Sequence, residues 1–159
     1  MRNLFGQLMA ETLANDDKVY LLTGDLGFGV LNKSREVAPD RTFNVGAAEQ
    51  LMLGTAVGLT HNSKIPVCYS ITPFVIFRPY EWLRNYLNHE GAPVKLVGSG
   101  RDEDYGHLGF SHWAVDDETA LKVFPNIKIY KPNSEEELAS IWQEFIYSNE
   151  PCYLNIKRT

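Results

Sequence analysis

An α/β fold, with a mostly parallel sheet of about six strands and helices on both faces, is what this sequence predicts. Three observations carry that expectation. Short apolar runs alternate with stretches of helical periodicity along the chain. Several of the runs are continuously apolar, as strands buried on both faces require. No Pro-, Gly- or Ser-rich linker and no internal repeat breaks the alternation, so residues 1–159 read as a single domain.

The elements follow in order. Phe5, Met9 and Leu13, with Leu4 and Leu8 beside them, form an apolar face at helical spacing. Residues 19–23 and 42–45 read as strands. Residues 47–60, rich in Ala, Leu and Met, read as a helix, and 65–70 as the next strand. Residues 74–87 carry aromatics and leucines and read as a helix, followed by a strand at 94–98. The longest irregular stretch, 99–113, is polar and Gly-rich, and it follows a strand. Ligands in open α/β sheets bind beyond the carboxyl ends of strands, which makes that loop a site candidate. A strand at 127–131 comes next. Ser134 followed by Glu137 is a capping box opening a helix through Tyr147, and a strand at 152–157 closes the chain.

Composition narrows the function classes. Hydrophobic residues make up 44% and charged residues 22%, enough apolar surface for a packed core. A net charge of −5 argues against a general nucleic-acid binder or a binder of anionic membranes. No apolar run approaches the roughly 20 residues of a membrane span. Residues 1–7 lack the apolar centre of a signal peptide, so a cytoplasmic protein is the simplest expectation. Cys68 and Cys152 sit in apolar, strand-like runs and read as buried free thiols rather than a disulfide. The histidines and cysteines show no zinc spacing.

Two Gly-rich segments invite a phosphate-loop reading, and both fail it. Gly98-Ser99-Gly100 opens correctly, but Glu103 holds the third glycine position of a dinucleotide fingerprint. Gly24-Asp25-Leu26-Gly27-Phe28-Gly29 has the wrong spacing, and no Walker P-loop is present.

The most informative segment is Asn44-Val45-Gly46-Ala47-Ala48-Glu49-Gln50. A strand ends, a glycine turns the chain, and a helix begins with Glu49 in its first turn, where the macrodipole favours a carboxylate. An isolated Glu there is an ordinary helix-start acid. The context is less ordinary, because Gly54 and Gly58 share one face of the same helix, where each glycine costs about 1 kcal/mol against alanine. That cost suggests close helix approach, including at a subunit contact.

This motif, with Gly54 and Gly58-Leu59 after it, resembles the pyrimidine-binding domain of transketolases. The resemblance continues in order through Pro66, Ser70-Ile71-Thr72-Pro73-Phe74, Phe77-Arg78-Pro79-Tyr80 and Arg84. It goes on through 93–98, Gly106, Gly109, Ser111-His112, Asp117, Pro125-Asn126, Pro132 and Ile156-Lys157-Arg158. It implies a thiamine diphosphate-binding pyrimidine-domain fold. It also implies that Glu49 contacts the N1′ nitrogen of the cofactor's aminopyrimidine and promotes activation of the thiazolium carbon. Phe74 matches the aromatic packed on the aminopyrimidine, and Ile71 and Phe77 match its apolar neighbours. Asp25 matches an acid near the thiazolium, His112 a substrate-contacting His, and Arg158 a phosphate-binding Arg.

Two departures qualify the substrate. Leu108 stands where transketolases carry an Asp for a sugar hydroxyl, and leucine cannot accept that bond. Gly100 replaces a His that helps bind phosphate, with Arg101 beside the vacant position as a candidate substrate group. His107, one residue before Leu108, is a second polar candidate. The segment that holds magnesium or calcium and the diphosphate in this family is absent, since Gly24-Asp25-Leu26 has leucine in its third place. The metal ligands are therefore expected on a partner chain, and none is assigned here.

The expected function is that of a subunit of a split transketolase-like enzyme, active in two-carbon ketol transfer between sugars with a diphosphate-binding partner. A homodimer of this chain within a heterotetramer is the expected assembly. Two alternatives stay open: a 2-oxo-acid-using thiamine enzyme subunit, deoxyxylulose-phosphate-synthase-like or dehydrogenase-like, and a non-catalytic assembly module.

Overall fold

The computed structural model describes residues 1–158. The chain builds α1 (Arg2–Asn15), β1 (Val19–Thr23), α2 (Asn32–Val37), β2 (Thr42–Asn44), α3 (Glu49–Thr60) and β3 (Ile65–Ile71). It continues with α4 (Thr72–Phe77), α5 (Tyr80–Trp82), β4 (Lys95–Ser99), α6 (Asp117–Leu121), β5 (Lys128–Tyr130), α7 (Glu135–Tyr147) and β6 (Cys152–Ile156). The sheet has six strands in the order β2-β1-β3-β4-β6-β5, and every pairing is parallel. The sequence-based α/β expectation of a parallel sheet is met.

Both faces of the sheet are covered, which explains the continuously apolar strands. On one face Phe5, Met9 and Leu13 of α1 and Trp142 and Phe145 of α7 pack on Leu21, Val67, Val97 and Leu154. On the other, Met52, Leu53 and Ala56 of α3 and Leu83 and Leu87 pack on Leu22, Cys68, Leu96 and Tyr153. Cys68 and Cys152 are both free and buried. Burial pushes the Cys68 thiol well above its ordinary range.

Three local departures have physical causes. The helix expected over 74–87 breaks, because Pro79 has no N–H to donate. The chain restarts at Tyr80 and widens into a π-helix at Leu83–His89, closed by Glu90 N–H donating to the Asn85 carbonyl at 3.2 Å. Helices α2 and α6, of 6 and 5 residues, carry too few turns for a periodic signal. At α7, Ser134 Oγ accepts from Glu137 N–H at 3.2 Å as a capping box requires, but Glu137 reaches back to Asn133 N–H at 2.6 Å, one residue early.

The strand order creates a switch point. From β1 the chain passes to the edge strand β2 and then returns to β3 on the other side of β1. The carboxyl ends of β1 and β3 open a crevice there. Gly24 follows β1, Ser70 lies near the end of β3, and Glu49 starts α3 beside both.

Candidate functional site

Glu49 is the first residue of α3 and is only 1% exposed. Gly46 makes the preceding turn with φ +74°, a left-handed conformation that suits glycine. The Gly46 N–H donates to Asn44 Oδ1 at 3.0 Å. Ser70 Oγ donates to Glu49 Oε1 at 2.8 Å, and Arg78 Nη1 donates to Oε2 at 2.7 Å. A Cβ on Gly24 would lie 2.8 Å from Glu49 Oε1 and 2.9 Å from Ser70 Oγ. Only glycine leaves room for the carboxylate at the end of β1. Gly24→Ala should therefore displace Glu49. Urea unfolding of that variant should shift by the roughly 1–3 kcal/mol of an overpacked site.

Aromatic groups adjoin this carboxylate. Phe74 lies on α4, and the Arg78 guanidinium sits over its ring at 3.7 Å. His112 meets Phe74 edge-on at 5.0 Å between centroids, and Ser111 Oγ lies 2.9 Å from its Nδ1. Tyr105 is 6.0 Å from His112 and carries Arg158 over its ring at 4.9 Å. A cavity of about 200 Å³ lies here, lined by Phe74, Phe77, Arg78, Phe110, Trp113 and Asp116 among others. A groove of about 450 Å³ between α1 and residues 29–37 is lined by Gly6, Ala10, Ala14 and Val30 among others, with Glu11 and Lys33 as its charged groups.

The other expected residues divide. Asp25 follows β1 with φ +54°, held by two contacts to Asn44: its N–H donates to Oδ1 at 3.0 Å, and its Oδ1 accepts from Nδ2 at 3.1 Å. A non-glycine residue in that conformation is held against its local preference, which fits a placed carboxylate. Ile71 ends β3 half-buried, and Phe77 is exposed at the cavity edge.

Arg101 is placed differently from its expected role. It is 3% exposed. Its Nε donates to Asn155 Oδ1, its Nη2 to the carbonyls of Asn155 and Pro132, each at 2.8 Å, and its Nη1 to Asn133 Oδ1 at 3.2 Å. Burial pulls its pKa below the ordinary arginine value. In this structure Arg101 is a buried brace beneath the loop and does not face the cavity.

That brace joins a second buried network. Asp117 Oδ2 accepts from Tyr153 OH at 2.7 Å and Asn155 Nδ2 at 2.8 Å. Burial first, and then the Asp117 carboxylate, raise the Tyr153 phenol well above its usual pKa. The network ties β6 to the loop that carries His112.

The departures also have structural forms. Gly100 has φ +92°, and a Cβ there would meet Tyr105 Cε2 at 2.4 Å. The Tyr105 ring occupies the space a histidine would need. Leu108 is 43% exposed, and His107 is exposed beside it. Gly54 is explained within the chain, since its Cβ would meet Trp82 Cη2 at 3.1 Å. Gly58 faces open space.

Sequence reasoning missed Ser70, Arg78 and Asn44 as site residues. All three lie inside the motif segments, but only the fold shows that they converge on Glu49 and Asp25. Among the described residues, no group of His, Cys, Asp or Glu is arranged to hold a metal ion, and no helix is long and apolar enough to cross a membrane.

Known proteins resemble this chain in sequence and fold. The sequence matches the family "Transketolase, pyrimidine binding domain" over residues 1–159. It is 35% identical over 118 residues to one subunit of the apulose-4-phosphate transketolase of Actinobacillus succinogenes, covering 74% of this chain and 38% of that protein. It is 29% identical over 158 residues to 1-deoxy-D-xylulose-5-phosphate synthase of Aquifex aeolicus, covering 98% of this chain and 25% of that enzyme. Among solved structures, a split-gene transketolase in an inactive β4 tetramer matches with a TM-score of 0.85 at 26% identity, over 99% of this chain and 51% of that one. The chain spans about half the length, or less, of the curated relatives it matches. Together with the buried Glu49 at the sheet's switch point, these matches place the chain in the transketolase pyrimidine-binding domain family.

Proposed function

We propose that this chain is the cofactor-activating subunit of a split, thiamine diphosphate-dependent enzyme that transfers two-carbon ketol units between sugars. The observation that carries this reading is the Glu49 carboxylate, buried at the start of α3 beside Phe74. When bound, thiamine diphosphate supplies a thiazolium carbon that adds to the substrate carbonyl and stabilises the resulting negative charge.

The residues present fit that group. Glu49 would meet the N1′ nitrogen, Phe74 the aminopyrimidine ring, and Ile71 and Phe77 its apolar surroundings. Ser70 pins Oε1, and Oε2, which pairs with Arg78 in this structure, is the atom that would hold and release the proton. Asn44 holds the Asp25 carboxylate, which would lie on the thiazolium side. His112 and Arg158, linked through Tyr105, would face substrate oxygens and a substrate phosphate. The diphosphate and its magnesium or calcium ion would be held by a diphosphate-binding partner chain. A second copy of this chain is the further partner, in a heterotetramer.

The solvent face of α3 suits self-association. It presents Leu51, Thr55 and Gly58, with Ala47 exposed just before the helix and Leu51 60% exposed. Light scattering should find at least a dimer for the wild-type chain and a monomer for Leu51→Glu. A monomeric wild type at high concentration would count against this face.

A second reading has its own support. Exposed Leu108 cannot accept a sugar hydroxyl's hydrogen, and the similarity to a deoxyxylulose-phosphate synthase keeps a 2-oxo acid donor open. The experiment for the main reading is reconstitution. This chain alone should bind thiamine diphosphate weakly or not at all. Adding a diphosphate-binding transketolase subunit should create tight, magnesium-dependent binding and ketol transfer. Tight binding by this chain alone sinks the split-site reading; turnover only with pyruvate-like donors favours the second.

A further inference from the structure

Arg78 holds both groups that an aminopyrimidine needs. Its guanidinium carbon lies 3.7 Å over the Phe74 ring, and its Nη1 bonds to Glu49 Oε2 at 2.7 Å. A guanidinium and an aminopyrimidine are alike in shape and chemistry: both are planar, and both present nitrogen to a carboxylate while stacking on an aromatic ring. The same ring face and the same oxygen cannot serve both at once.

We propose that Arg78 is a resident occupant of the cofactor's aminopyrimidine site and is displaced when that ring binds. The proposal rests on the roles given above to Glu49 and Phe74, and it deepens them. Four features suit displacement. The Arg78 side chain is 41% exposed, so a path to solvent is open. Ser70 keeps its bond to Oε1 when Arg78 leaves, so Glu49 is not stranded. Gln50 Nε2 donates to the Arg78 carbonyl at 3.2 Å, and Pro79 follows, so the backbone stays placed while the side chain moves. Asp116 lines the same cavity and offers a second carboxylate for the displaced cation.

Occupancy by Arg78 reduces apparent affinity by the fraction of time the site is closed. If the site is open about a tenth of the time, removing the guanidinium tightens binding by roughly tenfold. The test uses the full chain with thiamine as probe, titrated to millimolar concentration by NMR. Arg78→Ala, and Arg78→Met as a variant that keeps the side-chain stem, should each bind thiamine about tenfold more tightly than wild type. Adding Phe74→Ala or Glu49→Gln should abolish that gain. A second readout needs no variant: the Arg78 side-chain nitrogen signal should be restrained in the free chain and become mobile when thiamine saturates it.

Equal or weaker binding by both Arg78 variants overturns the proposal, as does an Arg78 signal that stays restrained at saturation. Absence of any binding by the variants at millimolar thiamine also overturns it, because removing an occupant must expose its site. A different result bears on the underlying reading. Tighter binding that survives Phe74→Ala and Glu49→Gln puts thiamine elsewhere and removes the roles given to those two residues.

Discussion

Glu49→Gln in the assembled enzyme should lower turnover by roughly 10²- to 10⁴-fold, the range of a lost acid–base group. The fold should survive, because glutamine has nearly the same shape. Its amide can still meet Ser70, and the lost ion pair had a half-exposed Arg78 as its partner. Arg78 can turn to solvent once the buried charge is gone, so the substitution leaves no charge buried and unpaired. The loss should appear in kcat more than in KM, since the role proposed for a proton at Oε2 belongs to the reacting state. Deuterium exchange at the bound cofactor's reactive carbon is the direct measurement. Wild type should exchange quickly, and Glu49→Gln should nearly stop. His112→Ala should keep fast exchange and lose substrate handling instead, as befits a half-buried His beside Phe74 and Tyr105. Wild-type exchange in both variants would remove Glu49 from its role and favour a non-catalytic module.

Arg101→Ala should be the most damaging change to stability outside the apolar core. It removes four hydrogen bonds from a buried guanidinium and leaves the Asn155 and Pro132 carbonyls short of a donor. Hydrogen bonds to charged groups contribute about 1.5–3 kcal/mol each, and they are not additive, so a net loss of roughly 3 kcal/mol is expected. Urea unfolding should show a lower midpoint with an unchanged slope. Arg158→Ala should do the reverse. That side chain is exposed over Tyr105, so stability should hold while KM for phosphorylated substrates rises. If Arg101→Ala raises KM and leaves the unfolding midpoint alone, Arg101 is a substrate residue after all.

The contrast between the two arginines shows what a linear motif can carry. From the resemblance alone, both are expected beside a substrate phosphate. Their placements differ because Asn155 lies 54 positions from Arg101 in sequence and directly beneath it in space. A spacing rule cannot see that contact. Gly54 makes the same point. Its place on the α3 face suggested a subunit contact, yet the Trp82 ring packs against it from within the chain.

The sequence by itself determined the parallel α/β sheet, its six strands to within a residue or so at each end, and Glu49 at a helix start. Those features follow from local physics. Buried strands must be apolar on both faces, a turn with positive φ wants glycine, and a carboxylate gains from a helix N-terminus. Tertiary structure alone decided the company Glu49 keeps. Ser70 and Arg78 reach it from 21 and 29 positions away. Nothing local requires either contact. They exist because β3 is inserted beside β1, so the carboxyl ends of both strands, and the helices that leave them, meet at one crevice.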